Sequence, residues 1–298
     1  MTETITYQAC PCCGQSDISP ALEAEDYTVS HEHFPIWECG SCTARFTQQV
    51  PAAAAIGRYY QSAEYVSHSE TRKGIINRLY HMVRSYTLQS KRKLVQATSK
   101  KEKGVLLDVG AGTGAFAAVM QEAGWQVTGL EPDDIARANA QTHHQLTLQT
   151  LDSLYSLPDA QFDVITMWHV LEHVHDLHGY LTTFQRILKP GGVLLVAVPN
   201  YTSYDAQVYG AQWAAYDVPR HLYHFSPESM RRLMQQHGFR INGYEPMWFD
   251  SYYVSMLSER YRTGKNNLLR ALWNGLRSNK KAASSYEKCS SVIYIMNK

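Results

Sequence analysis

Residues 106–116, LLDVGAGTGAF, constrain the fold more than any other part of this 298-residue chain. A short apolar run without alternation is the pattern of a strand buried on both faces, as in a parallel sheet. The run opens into Gly110, Gly112 and Gly114 where a strand must turn into a helix. Glycine permits left-handed dihedrals there and lets a ligand approach the backbone. The chain then keeps alternating. AFAAVMQEAG reads as an amphipathic helix closed by Gly124, WQVTGLEP as a second strand ending in Glu131, and IARANAQTH as a helix. QLTLQT, FDVITMWH and VLLVAVPN read as further strands, with HGYLTTFQRILKPGG as a helical region before the last of them. Such alternation predicts a parallel sheet with helices on both faces, which binds ligands at the carboxyl ends of its strands.

Glu131 lies 21 residues beyond Gly110, where an acid can accept hydrogen bonds from both hydroxyls of a ribose. GAGTGA also satisfies the dinucleotide pattern G-x-G-x-x-G/A. These residues predict an adenosine-containing cofactor and leave nicotinamide and sulfonium nucleosides both open.

Five of the six cysteines fall in the first fifty residues. CPCCG supplies the pair Cys10 and Cys13, and CGSC supplies Cys39 and Cys42. Two C-x-x-C turns present four thiolates to one ion, the donor set of a structural zinc site with no open position. Cys12 is left over. The chain start lacks a basic segment followed by an apolar one, and no run approaches 18 apolar residues. A cytoplasmic protein with no transmembrane segment is expected, and zinc is then favoured over disulfides. The net charge of +1 gives the whole molecule no electrostatic preference for nucleic acid.

The wider set of motifs resembles the class I S-adenosylmethionine-dependent methyltransferases. The likeness runs over about residues 59–241 and returns in the last ten. It rests on LLDVGAGTG, GLEP, LQTLDSLYSLPDAQFDVI, FDVITMWHVLEHVHD and ILKPGGVLLVAVPN. The resemblance implies an α/β, Rossmann-like mixed sheet of seven strands, the last antiparallel. SPESMRRLMQQHGFRINGYEP supplies a helix capped by Ser226 and a sixth strand, and SSVIYIMNK the seventh. It also implies S-adenosyl-L-methionine as cofactor. Asp108 and Gly110 then meet its amino-acid end, and Glu131 its ribose. Leu151 and Asp152 lie near adenine, and Met167 and Trp168 along the methionine portion. Tyr60 and Tyr65 close over it from the preceding segment.

Methyl transfer from a sulfonium needs alignment, exclusion of water and a group to take the acceptor's proton. Histidine titrates near neutrality. His169, His221 and His224 are the base candidates, while His173 of the LEH motif reads as site-lining. WAAYDVPRHLYHFSPES can form the acceptor wall through Tyr216, Arg220 and Tyr223, with Arg220 gripping a phosphate or carboxylate. A loop packed by its own aromatics is the competing reading of that stretch.

Three segments follow: a zinc-ribbon-like module at 1–50, a helical linker and cofactor cap at 51–103, and the transferase domain at 104–298. A helical insertion at about 246–288 interrupts the domain before its last strand. Residues 72–103 carry ten Lys/Arg against one acid, which reads as a solvated helix face or an anion-binding surface. In the insertion, Leu268, Leu269, Leu272, Trp273 and Leu276 form an apolar stripe. It reads as a lid packed on the core, a membrane- or lipid-contacting surface, or a dimer contact. The expected function is methylation of a small or carrier-linked metabolite, such as a sugar nucleotide or lipid-linked precursor. An RNA or protein methyltransferase that grips its partner through the zinc module is the alternative. A non-catalytic cofactor-binding protein is the third.

Overall fold

The computed structural model describes residues 4–61 and 75–298. The chain begins with five short strands: β1 (Thr4–Ile5), β2 (Ile18–Glu25), β3 (His33–Cys39), β4 (Arg45–Thr47) and β5 (Val50–Pro51). β2, β3 and β4 pair antiparallel in that order, and β1 closes on β5. Two knuckles bring Cys10, Cys13, Cys39 and Cys42 together, with all four sulfurs within 4.8 Å of one another. Gly14, at φ +75°, allows the first knuckle to turn back on Cys10. The Cys10–Cys42 and Cys13–Cys39 sulfur separations are both 3.6 Å. A tetrahedral zinc ion with bonds of about 2.3 Å has sulfur–sulfur edges of about 3.8 Å, so the donors fit zinc. A disulfide would require about 2.05 Å. Cys12 is buried beside Cys10 but stands outside the four-sulfur group.

The α/β body follows as α1 (Ile75–Ser99), β6 (Val105–Val109), α2 (Ala115–Glu122), β7 (Gln126–Leu130), α3 (Asp134–His144), β8 (Phe162–Trp168), α4 (Leu177–Ile187) and β9 (Leu188–Pro199). It continues with α5 (Tyr204–Tyr209), β10 (Tyr223–His224), α6 (Pro227–Gln236), β11 (Arg240–Pro246), α7 (Asp250–Thr263), α8 (Leu268–Ala282) and β12 (Ser291–Asn297). The main sheet has the order β11-β12-β9-β8-β6-β7. β6 to β9 run parallel, and β12 is antiparallel to both neighbours, as expected of the last strand. Successive strand residues point to opposite faces. Leu107, Val109, Ile165, Leu194 and Val196 enter one core with α4 and α6; Leu106, Val164, Val193 and Leu195 enter another with α1 and α2.

Among the described residues this sheet has six strands rather than the expected seven. QLTLQT meets β7 through a single parallel bridge, Leu130 with Gln149. Its Leu146 and Leu148 turn onto Ala117 and Ala140, and the chain then enters a 3₁₀ turn at Leu151–Ser156. Apolar packing on the helices, rather than extended pairing, holds this segment.

The cysteine-rich unit does not stand apart. β10, from the loop region after β9, pairs with β4 and completes a four-stranded sheet. Cys10, Cys39, Cys42 and Phe46 share one core with Leu181, Met230 and Leu233.

The insertion forms the helical pair α7 and α8, joined through small residues. Ser251, Ser255, Ser258 and Ser278 are buried, and a Cβ on Gly275 would lie 2.6 Å from the Tyr252 ring. A polar network ties the inner face down: the Asn274 amide donates to the Tyr209 hydroxyl at 2.9 Å, which donates to Glu259 at 3.1 Å. The Leu268–Leu276 stripe therefore faces outward, with Leu269 82% exposed, and does not close on the core as a lid would. Among the described residues no helix is long and apolar enough to cross a membrane.

Cys10→Ser is expected to release zinc and to speed amide exchange in β2–β4 and in β10. Metal content by mass spectrometry and hydrogen exchange check this; retention of one zinc per chain rejects the four-thiolate site.

Candidate active site

β6 and β8 are neighbours, so their carboxyl-end loops meet. Gly110, Gly112 and Gly114 all take left-handed φ, at +71°, +55° and +77°. A Cβ on Gly110 would come within 2.4 Å of Val170 in the loop after β8, so only glycine fits. At Gly112 a Cβ would meet nothing within 4 Å, which marks the open side of the turn. Glu131, just past β7, accepts the Gly112 N–H at 2.7 Å through one carboxylate oxygen and the Asp133 N–H at 3.0 Å through the other. Each oxygen keeps a further lone pair for a hydroxyl donor. Burial pushes the Glu131 pKa up.

Asp108 is buried in β6. Burial raises its pKa to about 7, against the Thr166 hydroxyl that donates to it at 2.7 Å and the charge of Lys91. Lys91 reaches in from α1 and lies 4.2 Å from the Trp168 ring centre; burial lowers its pKa to about 8. Trp168 packs edge-on against Phe116. Met167 points the other way, fully buried in the core under α4 and α6, so its side chain cannot line a cofactor. Leu151 is half-buried and Asp152 exposed on the turn after the Gln149 bridge. The Tyr60 hydroxyl lies 3.1 Å from His173 Nδ1. Tyr65 falls outside the described residues.

The histidines separate sharply. His169 sits between two carboxylates, with Nε2 3.0 Å from Asp250 and Nδ1 3.3 Å from Glu172. Burial opposes its charge, but these bonds outweigh it and hold its pKa at about 10. A base must be unprotonated, so His169 is a fixed cation instead. His224, in β10 of the cysteine-rich sheet, is bonded to Thr47 at 3.1 Å, and burial keeps it neutral behind His221, with the two ring centres 6.5 Å apart. His221 does reach the site: its ring lies 4.5 Å edge-on from that of His173, beside Glu172. Burial first, then His221, pulls the His173 pKa down to about 4. Glu172 stays ionised because His169 outweighs its burial.

The expected acceptor wall is largely interior. Arg220 is 1% exposed; it binds Asp217 through two nitrogens at 2.6 and 3.1 Å, Asp26 at 3.0 Å and the Tyr59 carbonyl at 2.8 Å. Four of its five N–H donors are taken, so it is a clamp and not a substrate anchor. The Tyr216 hydroxyl accepts from Arg45 at 2.8 Å. Tyr223 is buried in β10 opposite Phe46. The competing reading of this stretch, a loop packed by its own aromatics, describes both tyrosines.

A sequence profile described as a methyltransferase domain matches residues 81–242. The chain belongs to this methyltransferase-domain family. It is 28% identical over 149 residues to a ubiquinone biosynthesis O-methyltransferase of Maricaulis maris, covering 46% of this chain and 59% of that one. It is 35% identical over 126 residues to a malonyl-[acyl-carrier protein] O-methyltransferase of Serratia marcescens, covering 41% and 48%. The chain thus spans about half to three fifths of the length of these curated relatives. The crystal structure of a Burkholderia thailandensis 1,6-didemethyltoxoflavin-N1-methyltransferase, with its substrate and S-adenosylhomocysteine bound, superposes with a TM-score of 0.50 at 17% identity. That superposition covers 92% of this chain and 99% of that one, and shows a shared fold.

Sequence reasoning missed Lys91, Glu172 and Asp250 as residues around these loops. Lys91 lies in a basic run read as a solvated face or an anion-binding surface, and its own side chain turns inward where the helix packs. Glu172 stood in the quoted LEH motif without a role. Asp250 opens the insertion, where no motif marks it.

Arg220→Ala removes the cation from the buried Asp26 carboxylate and from the half-buried one of Asp217. A loss of about 3–5 kcal/mol in unfolding free energy is expected by urea titration. A loss under about 1 kcal/mol, typical of an exposed pair, rejects the clamp.

Proposed function

We propose that the chain transfers a methyl group from S-adenosyl-L-methionine to a small or carrier-linked acceptor. One observation carries this reading: the glycine turn with Glu131 and the Glu172–His173–His221 group occupy the ends of sheet strands or the loops beside them, in mutual contact through Val170. The first holds a nucleoside and the second has the polarity to activate a nucleophile. Bound in the cradle, the cofactor supplies an electrophilic methyl whose leaving group is a neutral thioether.

Each residue then has a task. Glu131 accepts from the ribose hydroxyls while its bond to Gly112 keeps the turn in place. Asp108 and the Gly110 backbone meet the ammonium of the amino-acid end. Trp168 and Lys91 shape the side of that cleft, and Tyr60 covers His173. The acceptor oxygen is held against the Glu172–His173–His221 group, and its proton passes to solvent before its bond to the methyl carbon forms. Relatives named for ubiquinone biosynthesis, demethylmenaquinone and malonyl-[acyl-carrier protein] support an acceptor that is small or carried. In this reading residues 1–50 are a zinc-ribbon-like scaffold, 51–103 the cap and 104–298 the catalytic domain. Six unpaired cysteines suit a reducing compartment such as the cytoplasm.

Glu131→Ala is expected to weaken S-adenosylhomocysteine binding by about tenfold or more, with unchanged circular dichroism. Unchanged affinity in calorimetry rejects its ribose role. Asp108 makes the affinity pH-dependent. Its carboxyl is protonated below about pH 7 and must ionise to pair with an ammonium. Affinity should rise with pH up to about 7 and then level, with proton release on binding below 7. Asp108→Asn should flatten that profile; a flat wild-type profile between pH 5 and 7 would sink the assignment.

A further inference from the structure

The Glu172–His173–His221 group has a polarity the protein does not satisfy. A backbone carbonyl can only accept, so Arg220 O, 3.0 Å from His173 Nδ1, fixes the proton on that nitrogen. Ala215 O, 2.9 Å from His221 Nδ1, does the same for the second ring. With the proton on Nδ1, the lone pair of each ring is on Nε2, and the Asp217 carboxylate 3.9 Å from His221 Nε2 brings no donor to the group. Glu172 is fully buried; one oxygen faces His169, and Oε2 has no hydrogen-bond partner. One ligand atom from each of the three residues lies within 4.8 Å of the others. Three acceptors converge with no donor among them, and a buried carboxylate oxygen left without a donor is destabilising.

We propose that Glu172, His173 and His221 bind a divalent metal ion through Oε2 and the two Nε2 atoms. Two imidazoles and one carboxylate suit Mn²⁺, Fe²⁺, Co²⁺ or Zn²⁺ better than Ca²⁺, which prefers all-oxygen cages. Every ligand is already tethered on its far side, by Arg220 O, Ala215 O and His169. Metal-ligating histidines almost always have such outer partners, which fix the tautomer and aim the lone pair. The cysteine site offers four ligands and is closed. This one offers three and leaves coordination positions open. Its purpose rests on the proposed methyl transfer: the ion holds an acceptor oxygen and lowers its pKa, so that the proton leaves to solvent before attack.

The test uses the full-length protein, dialysed against EDTA until only the cysteine-bound zinc remains by mass spectrometry. Titration with Mn²⁺, followed by electron paramagnetic resonance, should show one saturable site per chain. Co²⁺ should give visible d–d bands without thiolate charge-transfer absorption, which separates this site from the cysteines. His221→Gln should weaken Mn²⁺ binding roughly 100-fold while zinc content and S-adenosylhomocysteine affinity stay unchanged. Glu172→Gln should do the same, and His221→Gln carries the test if the buried glutamate proves necessary for folding. Absence of saturable Mn²⁺ and Co²⁺ binding in the wild type, or equal binding in His221→Gln, overturns the proposal. Failure of the wild type to bind S-adenosylhomocysteine would instead reject the transferase reading, while the metal titration still decides the site.

Discussion

Arg220 holds this molecule together at the place where its parts meet. Its guanidinium spans Asp217 in its own loop and Asp26 in the turn after β2, and also takes the Tyr59 carbonyl in the turn after β5. Both its charge and that of Asp26 are withdrawn from water, which is tolerable only because each is paired and nearly every donor is used. Asp26 in turn accepts from the backbone N–H groups of Thr28 and Ser30. One buried cation thus organises three separate stretches of chain. The same loop carries His221 to the end of β8: the Leu222 N–H donates to Glu172 O at 2.8 Å, and Thr47 donates to His221 O at 2.7 Å.

The four carboxylates and histidines nearby divide their labour by environment. Asp250 and Glu172 both hold their charge because His169 sits between them as a cation. His173, one residue from Glu172, is held neutral because burial and His221 outweigh the attraction of Glu172. Four positions apart in one stretch, two histidines therefore take opposite protonation states near neutral pH. The difference comes from hydrogen-bond partners: carboxylates on both nitrogens of His169, a carbonyl and a hydroxyl on one nitrogen of His173.

What the sequence disclosed follows from which forces are local. The parallel strands, the glycine turn, Glu131, the capped helix after Ser226 and the paired cysteines were legible because each depends on residues a few positions apart. The outcome at His169 was not, because its proton is fixed by Asp250, 81 positions away and inside an insertion. Arg220 was misassigned for the same reason: its chemistry as an anion binder was read correctly, but the anions are Asp26 and Asp217 of this chain. Of the three readings of the stripe at Leu268–Leu276, the packed lid is the one its exposure overturns; the two outward-facing ones stay open. Hydrophobicity sets the expectation that leucines face inward, while the serines, Gly275 and Asn274 on the opposite side make a closer and better hydrogen-bonded contact with α7 and α5.

The cysteine-rich unit has a reason to be where it is. About fifty residues bury too little surface to be rigid alone, and a metal crosslink is the usual remedy. Zinc ties its two knuckles, and Phe46 and the cysteines then share a core with α4 and α6. β4 is thereby fixed relative to the main sheet, and β4 is the strand on which β10 is laid. His221 lies two residues before β10, with its carbonyl held by Thr47 of β4. The cysteine-rich unit is therefore the wall against which His221 is set.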